Sequence, residues 1–127
     1  LTHSNGAAMI AELIYRLFHA RTAAHILHLQ THSYSGHKAL NDFYDAIVDL
    51  ADSIAEGYQG EHGLIDFSGK SRYVQESDPL KMISALKEWI EQNRYEAVEA
   101  EDTFLQNQID EVVLLCSSTL YKLKFLK

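Results

Sequence analysis

Four of the chain's seven histidines fall within thirteen positions, at His25, His28, His32 and His37. Further on, Asp45, Asp49, Asp52 and Glu56 follow one another at spacings of 4, 3 and 4, which puts them on one face of a helix. Imidazole and carboxylate together suit iron, zinc or manganese. A solvated helix face gives the same acidic pattern, and a lone histidine is ordinarily a surface residue or a hydrogen-bonded core one. Geometry narrows the choice. Asp52 and Glu56 are i and i+4, close enough to grip one ion. His37 precedes Asp52 by fifteen residues, roughly 22 Å along a helix at about 1.5 Å per residue. Metal ligands approach to about 2.0–2.2 Å, so His37 and Asp52 of one chain cannot share an ion. They could share one across a twofold axis, where two antiparallel helices bring the start of one to the end of the other. A metal site on these residues is therefore intersubunit. Because imidazole binds metal only when unprotonated, its occupancy would fall as pH drops through about 6.5.

These side chains need helices to carry them, and the apolar residues supply four. Ile10, Leu13, Leu17, Ala20 and Ala24 form the first stripe, with Ser4 or Asn5 as N-cap. Leu40, Phe43, Ile47, Leu50 and Ile54 form the second, capped by Ser33 or Ser35 and ended by Gly57. The third opens at Asp78-Pro79, a cap followed by proline at the first helical position, and continues through Ile83, Leu86 and Ile90. Leu105, Ile109, Val112, Cys116, Leu120 and Leu123 form the fourth, with acidic residues near Glu101 suited to its start. The spacing predicts helices over about 7–30, 34–56, 79–98 and 103–125. Two short connections make two antiparallel hairpins, and a crossover over 57–78 joins them. An all-α four-helix bundle of the ferritin-like kind, with one long crossover between its second and third helices, is the architecture that follows.

Composition bounds the rest. The 127 residues suit a single domain, 1–127, and 46% hydrophobic with 23% charged residues is ordinary for a globular chain. Turn signals at the spacing of a β-sandwich are absent. A formal charge of −7 repels a phosphate backbone, so nucleic acid is a poor partner. No wholly apolar run is longer than Val112–Cys116, far short of the ~20 residues a bilayer requires, so no membrane partner is expected. No signal-peptide pattern appears, and a cytoplasmic location is the default. The single cysteine, Cys116, excludes an internal disulfide framework. No phosphate loop, CxxC, nucleophile elbow or HExxH is present.

The stretch His25-Ile-Leu-His-Leu-Gln-Thr-His-Ser-Tyr-Ser-Gly-His37, continued through Phe43-Tyr44 to Asp52-Ser-Ile-Ala-Glu56, resembles the miniferritins, the Dps-like branch of the ferritin-like superfamily. That family carries a histidine near the end of its first helix and another twelve residues later. An aspartate follows after fifteen more, and a glutamate after a further four. His25, His37, Asp52 and Glu56 match these positions without a gap. Phe43-Tyr44 sits where the family has an aromatic pair. The resemblance implies iron bound by two histidines of one subunit and two carboxylates of its twofold mate, with Fe(II) oxidised there. It further implies a homodimer extended to a dodecamer and storage of the mineral in its cage. It covers residues 25–56 well and the later helices only in pattern.

The departures are specific. Ile26 stands where the family usually has tryptophan, and Gly57 follows Glu56 at once where the family's helix continues. A carboxylate in the last turn would oppose the helix dipole by ~0.3–1 kcal/mol. The crossover differs, the chain is shorter, and the lysine-rich DNA-binding tail has no counterpart among these residues. Together they point to a divergent relative; a phage genome is one origin compatible with that divergence. The rival reading is a ferritin-fold interaction protein that has lost the metal chemistry, and a third is a zinc- or manganese-binding variant without redox turnover.

Other residues carry blander expectations. His28 and His32 read as surface histidines ahead of supporting groups around the metal. Glu12 and Glu111 lack the Glu-x-x-His partner of a site inside the bundle. Cys116 reads as core, Trp89 as core or interface, and the basic-apolar run Tyr121–Lys127 as a helix end or subunit contact.

Overall fold

The computed structural model describes the backbone of residues 4–127 and the side chains of 6–127. Four helices account for most of it: α1 (Ser4–Gln30), α2 (Tyr34–His62), α3 (Pro79–Ala97) and α4 (Thr103–Phe125). No strand occurs among the described residues, and no helix is long and apolar enough to cross a membrane. Each helix buries most of the stripe its sequence predicts, with Leu50, Leu120 and Leu123 half-buried at the margin of the core. Ile10, Leu13, Ile14 and Leu17 of α1 meet Leu40, Phe43, Ile47 and Ile54 of α2, and Ile83 and Ile90 of α3 meet Leu105 and Ile109 of α4. All twelve are no more than 1% exposed, and burying such side chains contributes about 1.5–3 kcal/mol each.

Helix α1 packs on α2 and α3, and α4 packs on the same two, so α1 and α4 lie on one diagonal and α2 and α3 on the other. Two side-chain contacts show the sense of α4 against α2. His62 Nε2 lies 2.6 Å from Asp102 Oδ2 at one end, and Lys122 Nζ lies 3.7 Å from Asp42 Oδ2 at the other. With α1–α2 and α3–α4 as antiparallel hairpins, α2 and α3 run parallel. The connection between them must travel the length of the bundle. Helix α2, 29 residues long, measures about 43 Å, and the sixteen residues 63–78 can reach about 50 Å when extended. The crossover lies against α1. The Tyr15 hydroxyl donates to the Phe67 carbonyl, and the His19 and Tyr73 rings meet edge to face at 5.4 Å. This is the four-helix bundle with one long crossover.

The helix ends show where local chemistry prevails. Ser33 is the N-cap of α2, its Oγ accepting from Gly36 N at 3.1 Å, and Asp78 caps α3 by accepting from Leu80 N at 3.0 Å. Helix α3 stops at Ala97 because Val98 turns extended. Helix α1 begins three residues earlier than predicted, at Ser4. The capping role expected of Ser4 or Asn5 falls outside the described side chains.

Gly57 does not end α2. The helix runs on to His62, and Gly63, at φ 95°, is the residue that stops it, its N–H bonding to Gln59 O. The crossover accordingly spans 63–78 rather than 57–78. A Cβ on Gly57 would stand 3.0 Å from Leu105 Cδ2, so this glycine serves the close approach of α2 and α4 instead of a helix stop. Glu56 is consequently well inside α2, away from the last turn and its unfavourable dipole.

Candidate metal-binding face

Where α1 ends and α2 begins, three histidines and a tyrosine stack into one cluster. The short link Thr31–Ser33 folds α2 back on α1, setting His28 opposite His37. Their rings stack at 3.6 Å between centroids, tilted by 22°. His28 Nδ1 lies 2.9 Å from the His37 carbonyl oxygen, and His37 Nδ1 lies 2.8 Å from the His28 carbonyl oxygen. A carbonyl can only accept, so both Nδ1 atoms carry hydrogen and donate. In the neutral imidazoles each Nε2 is then the bare, ligand-capable nitrogen. His25 stacks on Tyr44 at 4.3 Å and meets His28 edge-on at 5.8 Å. The Tyr44 hydroxyl donates to Asn41 Oδ1 at 2.8 Å, and Asn41 Nδ2 donates to Asp45 at 3.1 Å.

The structure therefore brings His25 and His37 into one cluster through His28 and Tyr44, and keeps Asp52 and Glu56 apart from it. Both carboxylates are exposed, as are Asp45 and Asp49. Counting from His37, steps of four, seven and four residues reach Asn41, Val48 and Asp52, and Glu56 lies one turn further on. All fall on the side of α2 that faces away from Phe43, Ile47 and Ile54. The face thus carries imidazole at one end and carboxylate at the other, about 22 Å apart. Among the described residues, no three His, Cys, Asp or Glu side chains of one chain converge around a metal-sized space.

His28 departs from its expected place. It is 7% exposed, a buried histidine satisfied by backbone, where a surface position was expected. The signal was present in the sequence as two histidines nine residues apart flanking a tight turn. Spacing alone cannot show that a turn will stack them. His32 is exposed, as expected. His62, which no sequence pattern marks, pairs with Asp102 while its ring packs on Tyr58 at 4.7 Å. Partial burial, with Asp102 and Glu99 close by, pushes the Tyr58 hydroxyl above its ordinary value.

A site inside the bundle finds no support in this geometry. Glu12 is held by Arg16 at 2.7 Å, and Glu111 is exposed. The only polar side chains in the described interior are His28, Gln106 and Thr119, so no carboxylate lines it. Gln106 belongs to a structural knot. Arg94 donates to Gln106 Oε1 at 2.8 Å and to Asp110 at 2.7 Å, while Gln106 Nε2 donates to Val98 O at 2.9 Å. Cys116 is fully buried, and desolvation of the thiolate pushes its thiol up to about 12. Trp89 is half-buried, packed on the core and covered by the Arg16 guanidinium at 4.4 Å.

Comparison with known proteins gives one positive finding. A family model described as a family of unknown function, DUF5856, matches residues 28–123. No curated protein and no solved structure matches the chain. The match takes in His28, His37, Asp52 and Glu56 and begins after His25. Since it spans well over half of the sequence, the chain belongs to the DUF5856 family.

Proposed function

We propose that this protein binds a transition metal between two copies of itself, at sites where His25 and His37 of one chain meet Asp52 and Glu56 of its twofold mate. The observation that carries the reading is the donation of His37 Nδ1–H to the His28 carbonyl at 2.8 Å. Metal-binding histidines almost always donate their other ring nitrogen in this way, which fixes the tautomer and aims the free nitrogen. The continuation of α2 to His62 supports it too, by keeping Asp52 and Glu56 on an intact, solvent-facing helix. Neutral imidazole with carboxylate is a donor set that fits iron, with zinc or manganese also accommodated.

With Fe(II) as substrate, the site would work as a miniferritin-like ferroxidase. Each ferrous ion gives up one electron to a dissolved oxidant. The protein's share is positional: two imidazoles hold the ion, and two carboxylates offset its charge as it rises. Storage of the ferric product in a larger homo-oligomer, a dodecamer by resemblance, is the extension of this reading. The test is elemental analysis of protein purified without chelator, together with its mass in solution. Bound iron, zinc or manganese at one site per chain in a dimer or larger assembly is the expected result. Absence of any transition metal from the wild-type dimer overturns the reading.

One observation favours the rival. The cluster is bordered by Leu29 and Tyr34, 71% and 76% exposed, an apolar pair suited to contact with another protein. A bundle that keeps this contact and binds no metal is the interaction-protein alternative, and the same elemental analysis separates the two.

A further inference from the structure

A second feature lies on the opposite side of α1. The crossover does not lie flat on the bundle; between it, α1 and α3 it leaves an open cleft of about 610 Å³, within the size range of small-ligand sites. Its floor is apolar. Ala20, Ala23 and Leu86, 5%, 3% and 7% exposed, form the base with Met82, and Val74 of the crossover makes an apolar lip.

Its wall is cationic. Arg16, Arg72 and Lys81 line it against a single carboxylate, Glu76. With Arg16 neutralised by Glu12 at 2.7 Å, Arg72 and Lys81 less Glu76 leave +1 locally, in a chain whose formal charge is −7. Three of the eleven Lys and Arg residues have thus gathered on one concave surface. Arg16 is already committed to Glu12 and to the Trp89 ring. Arg72 and Lys81 are exposed, and neither has a carboxylate within 4.0 Å among the described residues. An apolar floor beneath two unpaired cations selects for a ligand with a hydrocarbon body and an anionic head.

We propose that the cleft between α1, α3 and the crossover binds a single-chain aliphatic carboxylate, its chain on Ala20, Ala23, Leu86 and Met82 and its head between Arg72 and Lys81. This proposal is independent of the metal reading and uses none of its residues.

The experiment is calorimetric titration of the full chain with sodium dodecanoate below its micelle concentration, with chelator present. Dodecanol and dodecyltrimethylammonium, which share the chain and differ in the head, serve as comparisons. Saturable binding of dodecanoate at one site per chain is expected, with dodecanol at least tenfold weaker and the cationic analogue weaker still. Arg72→Gln with Lys81→Gln should lower dodecanoate affinity roughly tenfold or more, as loss of contacts to a charged group does. Ala85→Trp, at an exposed position of α3 lining the cleft, should block it by filling space. Circular dichroism checks that both variants stay folded. Equal binding of all three amphiphiles overturns the proposal, as does unchanged binding in both variants. Absence of binding also overturns it, as does a dimer that dissociates in Ala85→Trp, which would make a second copy the occupant.

Discussion

His28 and His37 hold each other by two reciprocal bonds, each ring donating Nδ1–H to the other's backbone carbonyl at 2.9 and 2.8 Å. The pair ties the last turn of α1 to the first turn of α2 and satisfies the His28 carbonyl, which has no i+4 partner at the end of α1. It joins a structural role, at His28, to the proposed ligand role, at His37. The two roles are separable by mutation.

Replacing His28 by Ala removes a buried side chain and the bond its Nδ1–H makes to the His37 carbonyl. A destabilisation of about 1–3 kcal/mol is expected, read as a lower midpoint in chemical unfolding. His37→Gln, at a half-buried position, should cost less stability than His28→Ala while costing more metal affinity. The reverse ranking in both measurements would show that the ligand has been assigned to the wrong histidine.

The shared-site reading makes a sharper demand on Asp52. Asp52→Asn removes the charge and nearly preserves shape at an exposed position, so the helix should survive while metal affinity falls. His37→Gln should lose a comparable amount although it lies fifteen residues away. In a mixed dimer one site carries both defects and the other carries neither. Metal binding or Fe(II) oxidation should therefore partly return when the two inactive variants are mixed. Demonstrated mixed dimers without recovery would falsify the intersubunit site.

Two glycines of α2 offer a matched pair. A Cβ at Gly60 meets nothing within 4 Å, whereas one at Gly57 meets Leu105 Cδ2 at 3.0 Å. Gly60→Ala should stabilise by about 0.5–1 kcal/mol through helix propensity. Gly57→Ala should give less than this, and Gly57→Val should destabilise by about 1–3 kcal/mol through overpacking against α4. Thermal unfolding of the three variants measures the order directly.

Burial of Cys116 has a pH consequence with a definite sign. In the unfolded chain the thiol ionises near its ordinary value of 9.0, and in the folded chain only at about 12. Between those values the unfolded state binds fewer protons, so stability falls as pH rises across that window. The thiol should resist a thiolate-specific reagent at pH 8 in the native protein and react fully in denaturant. Rapid native labelling would mean that Cys116 is not in the core.

Much of this protein is legible in its sequence because the underlying physics is local. Apolar spacing placed all four helices, and α4 falls at the predicted bounds, 103–125. Asp78-Pro79 marked the start of α3 because a cap and a proline act within one turn. The fifteen-residue separation of His37 and Asp52 ruled out a shared ion within one chain by helix rise alone. Other features required the tertiary structure, because each depends on which surfaces meet. Gly57 resembles a helix stop until Leu105 is found packed against it. His28 resembles a surface residue until the turn folds His37 onto its ring. The cationic cleft joins Arg72 and Lys81 to floor residues from α1 and α3, and only the path of the crossover along the bundle brings them together. Short-range rules fix a helix and its caps; close approaches, stacked rings and clefts belong to pairs of elements, and pairing is settled by packing.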